Sequence, residues 1–145
     1  MSFKAINKNF YLSLLLVSAI FFFDRISKLY VLNFVEKNIT LDLFKSSYLD
    51  ITLIWNKGIA FGLLNFDQNY LYNLLSLLIT IVILVILFMA MKSNGFKRYT
   101  LLIIFGGALG NLYDRFFYKA VPDFIDFHIG DFHWFIFNVA DVFIT

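Results

Sequence analysis

Tyr70 to Met91 runs for more than 20 residues without one charged side chain. Crossing a hydrocarbon core about 30 Å thick takes roughly 20 apolar residues in a helix, so this stretch commits the chain to a membrane. Three further segments extend the pattern. Phe10 to Phe23 is apolar and continues through Asp24-Arg25-Ile26-Ser27-Lys28 into Leu29 to Val35, long enough to span as one helix. Its basic start resembles a signal peptide, but it is not succeeded by a small-x-small cleavage site. Tyr99 to Phe117 and Phe132 to Thr145 complete the set. The 145 residues are 61% hydrophobic and 15% charged, against less than half apolar in soluble domains. The expectation is a single all-α membrane domain over residues 1–145, with four transmembrane helices at about 10–33, 70–91, 99–117 and 132–145.

Between the first two spans the chain turns polar. Leu49-Asp50-Ile51-Thr52-Leu53-Ile54-Trp55-Asn56 is rich in β-formers, and Gly58 and Gly62 punctuate the next stretch, Asn56 to Gly62. Residues at about 40–66 therefore read as a small extracytoplasmic β platform on the bilayer surface, since over 30 residues is long for a plain connector. Tyr118 to Asp131 reads as a loop. Lys4, Lys8, Lys92, Lys97 and Arg98 flank the spans on one side without acids beside them, which makes that side cytoplasmic, together with both termini. All nine Asp and the one Glu then fall in outer loops or at outer helix ends.

A net charge of +2 is too small to suggest nucleic acid, and the absence of Cys excludes thiolate chemistry and Cys-based metal sites. His128 and His133 share one loop but lack the one-turn spacing of a helical metal pair. Ionisable groups at the edge of a membrane span are costly, so they mark a functional site. Asn111 and Arg115 share a helix face, as do Asn138 and Asp141, and Asp24 and Lys28. The third and fourth spans are antiparallel neighbours, so Asn111, Arg115, Asn138 and Asp141 meet at one depth. A loop carboxylate joining Asp141 would make a proton-sharing pair suited to peptide hydrolysis. Asp123, Asp126 and Asp131 all qualify by spacing. In the competing reading these acids are hydrated loop charges and Asp114–Arg115 is a structural pair. A proton pathway would need ionisable groups along its length, and a bare anchor leaves the shared depth unexplained.

Five pieces in order carry a resemblance: Asp24-Arg25-Ile26-Ser27-Lys28, Asn56-Lys57-Gly58-Ile59-Ala60-Phe61-Gly62, Gly106 to Arg115, Asp123-Phe124-Ile125-Asp126-Phe127, and Phe137-Asn138-Val139-Ala140-Asp141. Over nearly its whole length the chain resembles the lipoprotein signal peptidases, bacterial signal peptidase II. The resemblance implies a multi-pass aspartic endopeptidase of the bacterial inner membrane, active on the extracytoplasmic side. It implies Asp123 and Asp141 as catalytic residues, with support from Asn56, Asn111, Arg115, Asn138, Asp24 and Lys28, and neither metal nor cofactor. Its partners would be diacylglyceryl-modified prolipoproteins, cleaved before the lipid-modified Cys, and membrane lipids. No nucleic acid is implied, and the enzyme would be a monomer. Two departures stand out. Pro122 replaces a small aliphatic residue and removes a backbone donor. Phe132 to Thr145 would make only about 21 Å of helix at 1.5 Å per residue, so a shortened, weakly anchored fourth span is expected.

Overall fold

The computed structural model describes residues 8–58 and 69–145. Three long helices, α1 (Lys8–Asn38), α2 (Asn69–Lys92) and α3 (Gly95–Tyr118), precede a short α4 (Val139–Ile144). Four strands fill the connections: β1 (Asp42–Phe44), β2 (Leu49–Asn56), β3 (Val121–Ile129) and β4 (Phe132–Phe137). Asn9–Asn38 and Tyr70–Lys92 are long and apolar enough to cross a membrane. Only 22% and 17% of their most apolar windows are buried within the protein, which is not how core helices of a soluble fold behave.

α3 packs against α1, α2 and α4, and its glycines set how closely. A Cβ at Gly106 would lie 3.1 Å from Ile20 Cβ, and one at Gly110 would lie 2.5 Å from Asp24 Oδ2. At Gly107 the obstacle is the Ala140 carbonyl of α4, 2.6 Å away. Small residues thus let polar groups of three helices converge near the C-terminal end of α3. At the opposite end, Arg98 Nη2 donates to Ser13 Oγ at 3.0 Å, which sets the starts of α1 and α3 side by side.

The strands form one antiparallel sheet in the order β1-β2-β3-β4. Val31, Leu53 and Phe124 make its core, flanked by Leu32, Val35, Leu43, Ile51, Ile125 and Val139. The sheet therefore rests on the part of α1 that continues past Lys28.

Two sequence expectations change here. The stretch read as a loop, Tyr118 to Asp131, contains β3, and the fourth span does not begin at Phe132, because Phe132–Phe137 is β4. Helix resumes only at Val139, so no helix runs through 132–145. The physical reason is cross-strand pairing: Ile125 faces Phe137, Asp126 faces Ile136, and Ile129 faces Phe132 across a two-residue turn. Gly130 in that turn has φ 58°, the conformation a tight hairpin demands of its glycine. The platform assigned to about 40–66 accordingly draws half its strands from the second connection, and its 59–66 portion lies outside the described residues. Pro122 is accommodated because β3 is paired there on one side only, with Trp55 of β2, while β4 joins from Ile125 onward.

Candidate active site

Where β3, the C-terminal half of α3 and the start of α4 meet, Asp123, Asp141, Asn56, Asn111, Arg115, Val121 and Asn138 line one cavity of about 20 Å³. That is room for about one water. Asp123 is buried and accepts two side-chain hydrogen bonds, from Asn56 Nδ2 at 2.8 Å and Asn138 Nδ2 at 2.6 Å. Asp141 accepts from Asn111 Nδ2 at 2.8 Å and from the Asn138 backbone N–H at 3.1 Å. Burial is the main reason that the Asp123 carboxyl is pushed up to about 6; the charge of Asp141 adds to it, against the two asparagine hydrogen bonds.

The local folding rules explain these positions. Asn138 is the N-cap of α4, and Asp141 is its third helical residue. Asp141 N–H donates to Asn138 Oδ1 at 3.3 Å while the Asp141 carboxylate accepts from Asn138 N–H, a reciprocal capping box. Asn56 reaches Asp123 diagonally across the β2–β3 ladder, in which Ile54 faces Asp123 and Asn56 faces Val121.

Each asparagine amide is oriented by a separate donor on its oxygen. Asn56 Oδ1 accepts from Gly58 N–H at 2.8 Å, Asn111 Oδ1 from Lys28 Nζ at 2.7 Å, and Asn138 Oδ1 from Asp141 N–H. With the oxygens taken, all three Nδ2 groups face a carboxylate.

Beneath this layer lies a buried quartet of charges. Lys28 Nζ contacts Asp24 Oδ1 at 2.9 Å and Asp114 Oδ2 at 2.7 Å. Arg25 grips Asp114 with Nη1 at 2.6 Å and Nη2 at 2.7 Å, reaches Asp24 at 2.9 Å, and lies over the Tyr113 ring. Asp24 Oδ1 also accepts the Ala140 N–H at 3.0 Å, fastening α4 to α1. Asp114 pairs with Arg25 and Lys28 rather than with its neighbour Arg115. Arg115 instead donates through Nη2 to Gly58 O at 2.7 Å.

All eight residues singled out from the sequence thus belong to one contiguous network. Asp126 and Asp131 stand apart from the cavity. Asp126 meets His133 Nδ1 at 2.8 Å, and Asp131 is exposed in the β3–β4 turn. Sequence reasoning missed Arg25 and Asp114 as network members, although Asp24-Arg25 and Lys28 one turn later offered the signal. Among the described residues, no group of three or more His, Asp or Glu is placed to hold a metal ion.

A family model described as Signal peptidase (SPase) II matches residues 16–145. The chain belongs to the signal peptidase II family. It is 51% identical over 138 residues to a lipoprotein signal peptidase of Pelagibacter ubique (strain HTCC1062), covering 95% of this chain and 83% of the relative. A lipoprotein signal peptidase of Anaplasma phagocytophilum (strain HZ) is 43% identical over 124 residues, covering 84% and 77%. Among solved structures, a bacterial membrane enzyme superposes with a TM-score of 0.71 at 28% identity, over 91% of this chain and 84% of that one. Membership in a signal peptidase II family makes the chain a bacterial membrane protease by kind, and it gives the carboxylate-lined cavity a reaction to be measured against.

Proposed function

We propose that this chain is a membrane aspartic endopeptidase that removes signal peptides from diacylglyceryl-modified prolipoproteins, cleaving before the lipid-modified Cys. The observation that carries the reading is the pair of carboxylates, Asp123 and Asp141, around one water-sized cavity. Two close carboxyls share a proton. Burial raises the proton affinity of both carboxyls, and the shift is large at Asp123, to about 6, so Asp123 is assigned the shared proton; Asp141, which accepts from Asn111 and from the Asn138 N–H, is then the ionised partner. Asp141 takes a proton from water as the oxygen attacks the scissile carbonyl carbon, while Asp123 donates to the carbonyl oxygen. Collapse of the tetrahedral intermediate returns that proton to Asp123 and delivers the one held by Asp141 to the leaving amine.

A groove of about 300 Å³ between α2, α3 and α4 supports the substrate class. Leu75, Val82, Ile83, Ile104 and Ile144 line its apolar walls, and it shares Asn111, Arg115 and Asp141 with the catalytic cavity. An apolar signal segment fits such a wall, with its cleavage point at the polar end. Arg115 Nη1 is buried and, among the described residues, without a hydrogen-bond partner, so it is available to a substrate carbonyl. Asn56 and Asn138 hold Asp123, and Asp24 and Lys28 hold α4 and Asn111. The enzyme would act as a monomer in the bacterial inner membrane, with α1, α2 and α3 crossing, the N-terminus cytoplasmic and the sheet outside, and it would use no metal or cofactor. Three crossings put the start of α4 on the outer side, so the expectation of two cytoplasmic termini, which needed a fourth span over 132–145, lapses.

Purified enzyme in proteoliposomes tests this directly. A diacylglyceryl-modified precursor should be cut before its modified Cys, and the same precursor without lipid should be left intact. Intact lipid-modified precursor under these conditions refutes the reading.

A further inference from the structure

The β3–β4 hairpin has two unlike faces. Phe127, Ile129, Phe132 and Trp134 alternate with His128 and His133 along the paired strands, with His128 opposite His133. On one face the histidine rings stack at 4.9 Å between strands. His133 Nδ1 meets Asp126 at 2.8 Å, and His128 Nε2 lies 3.3 Å from Asp50 of β2. That face is polar. The other carries only apolar and aromatic groups, and it is open: Phe127 is 48% exposed, Ile129 72%, Phe132 64% and Trp134 61%. With Tyr48, and with His128 at its edge, these four line a shallow concavity of about 410 Å³. An open apolar face of this kind signals an interaction surface.

We propose that this face seats in the headgroup–acyl boundary of the bilayer, anchoring the strand that carries Asp123. Three observations choose lipid as the occupant. β3 begins at Val121, directly after α3 ends at Tyr118, and β4 returns at Phe137 to the first residues of α4, so the hairpin hangs from helices at both ends. The end of α3 is itself an exposed aromatic band, Phe116, Phe117 and Tyr118, and Trp55 of β2 packs on Tyr118 at 5.7 Å. The composition is also right: Trp and Tyr concentrate at membrane–water interfaces, and interfacial amphipathic elements turn Trp, Phe and Leu toward the acyl layer. The two-faced hairpin behaves as a strand counterpart of an interfacial amphipathic helix, its histidine face toward water. Seating of the hairpin involves no cleavage step, so it holds or fails separately from the peptidase reading.

The chain has two tryptophans, so Trp55→Phe leaves Trp134 as the sole reporter. The full-length protein is reconstituted in phosphatidylcholine vesicles with or without acyl chains brominated near the carbonyl. An indole seated at the acyl boundary should lose roughly half its emission in the brominated lipid and resist aqueous iodide. Iodide quenching without bromolipid quenching overturns the proposal. So does shielding that depends on protein density, which would indicate a second copy, or shielding that arises only when precursor is added. A second pair of variants, in a background with Trp55→Phe and Trp134→Phe, reads the sidedness. Ile129→Trp should report lipid and His133→Trp should report water, and equal bromolipid quenching at both positions is incompatible with the proposal.

Discussion

Asp123 owes its affinity for a proton mainly to burial, and that has consequences for both stability and rate. Its ordinary value is 3.8, and in the folded chain it is about 6. Between those values the folded protein binds a proton that the unfolded chain releases. The contribution of this group is therefore fully present at low pH and is lost as pH rises through about 6. Asp123→Asn removes the titration. Relative to wild type, its melting temperature in detergent should improve as the buffer moves from about pH 5 to pH 7.5, with cleavage lost by about 10²-fold or more. Asp141→Asn should be equally inactive, and Asp126→Asn, on a carboxylate bound to His133, should keep most of its activity. An active Asp123→Asn with an inactive Asp126→Asn would move the site to the other end of β3. In the proposed mechanism the pair carries one proton, so wild-type cleavage should decline toward alkaline pH, with an apparent value that belongs to the pair. Paired carboxylates activate water without a Lewis acid, so cleavage should also survive chelators and the pair His128→Ala with His133→Ala. Loss in chelator with recovery on adding zinc would contradict that mechanism.

The elements were unevenly legible. Charge-free length announced α2, and the spacing of Gly106 and Gly110 announced a close helix approach, which the structure places against Ile20 and Asp24. The hairpin was hidden because phenylalanines and isoleucines occupy many of its positions, so period-two alternation is blurred and an apolar run from Phe132 imitates the start of a span. The overlooked signal was Gly130-Asp131, a two-residue turn flanked by matching segments. Likewise the spacing of Asn138 and Asp141 suggests a shared helix face, whereas the N-x-x-D pattern is a capping box that starts a helix there. Lone spacing could not select Asp123, because its partner strand β2 is distant in sequence and its amide donor Asn56 comes from that strand. Asn138 is thus both an element boundary and a ligand of the dyad. Asn138→Ala should cost about 1 kcal/mol of helix capping, to which the loss of a donor to a buried carboxylate is added. Asn138→Ser restores a cap but not the reach to Asp123. Recovery of thermal stability without recovery of cleavage is the expected pattern, and full recovery of cleavage would limit Asn138 to capping.

At the scale of the whole molecule, the quartet of Asp24, Arg25, Lys28 and Asp114 is where α1, α3 and α4 are joined, and its formal charges cancel. Such a buried cluster is poor evidence for stability in itself, but breaking it by removing one member typically costs about 3–5 kcal/mol. Lys28 has a second task. Its ammonium donates to Asp24, Asp114 and Asn111 Oδ1, and the last of these bonds turns the Asn111 amide toward Asp141. The two tasks are separable. Lys28→Met leaves two carboxylates against Arg25 alone, so it should lower thermal stability sharply and abolish efficient cleavage. Adding Asp114→Asn restores neutrality, with Asp24 still balanced by Arg25. Stability should then return by most of the amount lost, because the uncompensated charge is gone. Cleavage should remain depressed, because nothing fixes the Asn111 oxygen and its amide can flip away from Asp141. Melting temperature and the pH profile of precursor cleavage, measured for wild type, single and double variants, distinguish the roles. If the double variant cleaves at the wild-type rate with an unchanged pH profile, Lys28 is a counter-charge and does not position the dyad.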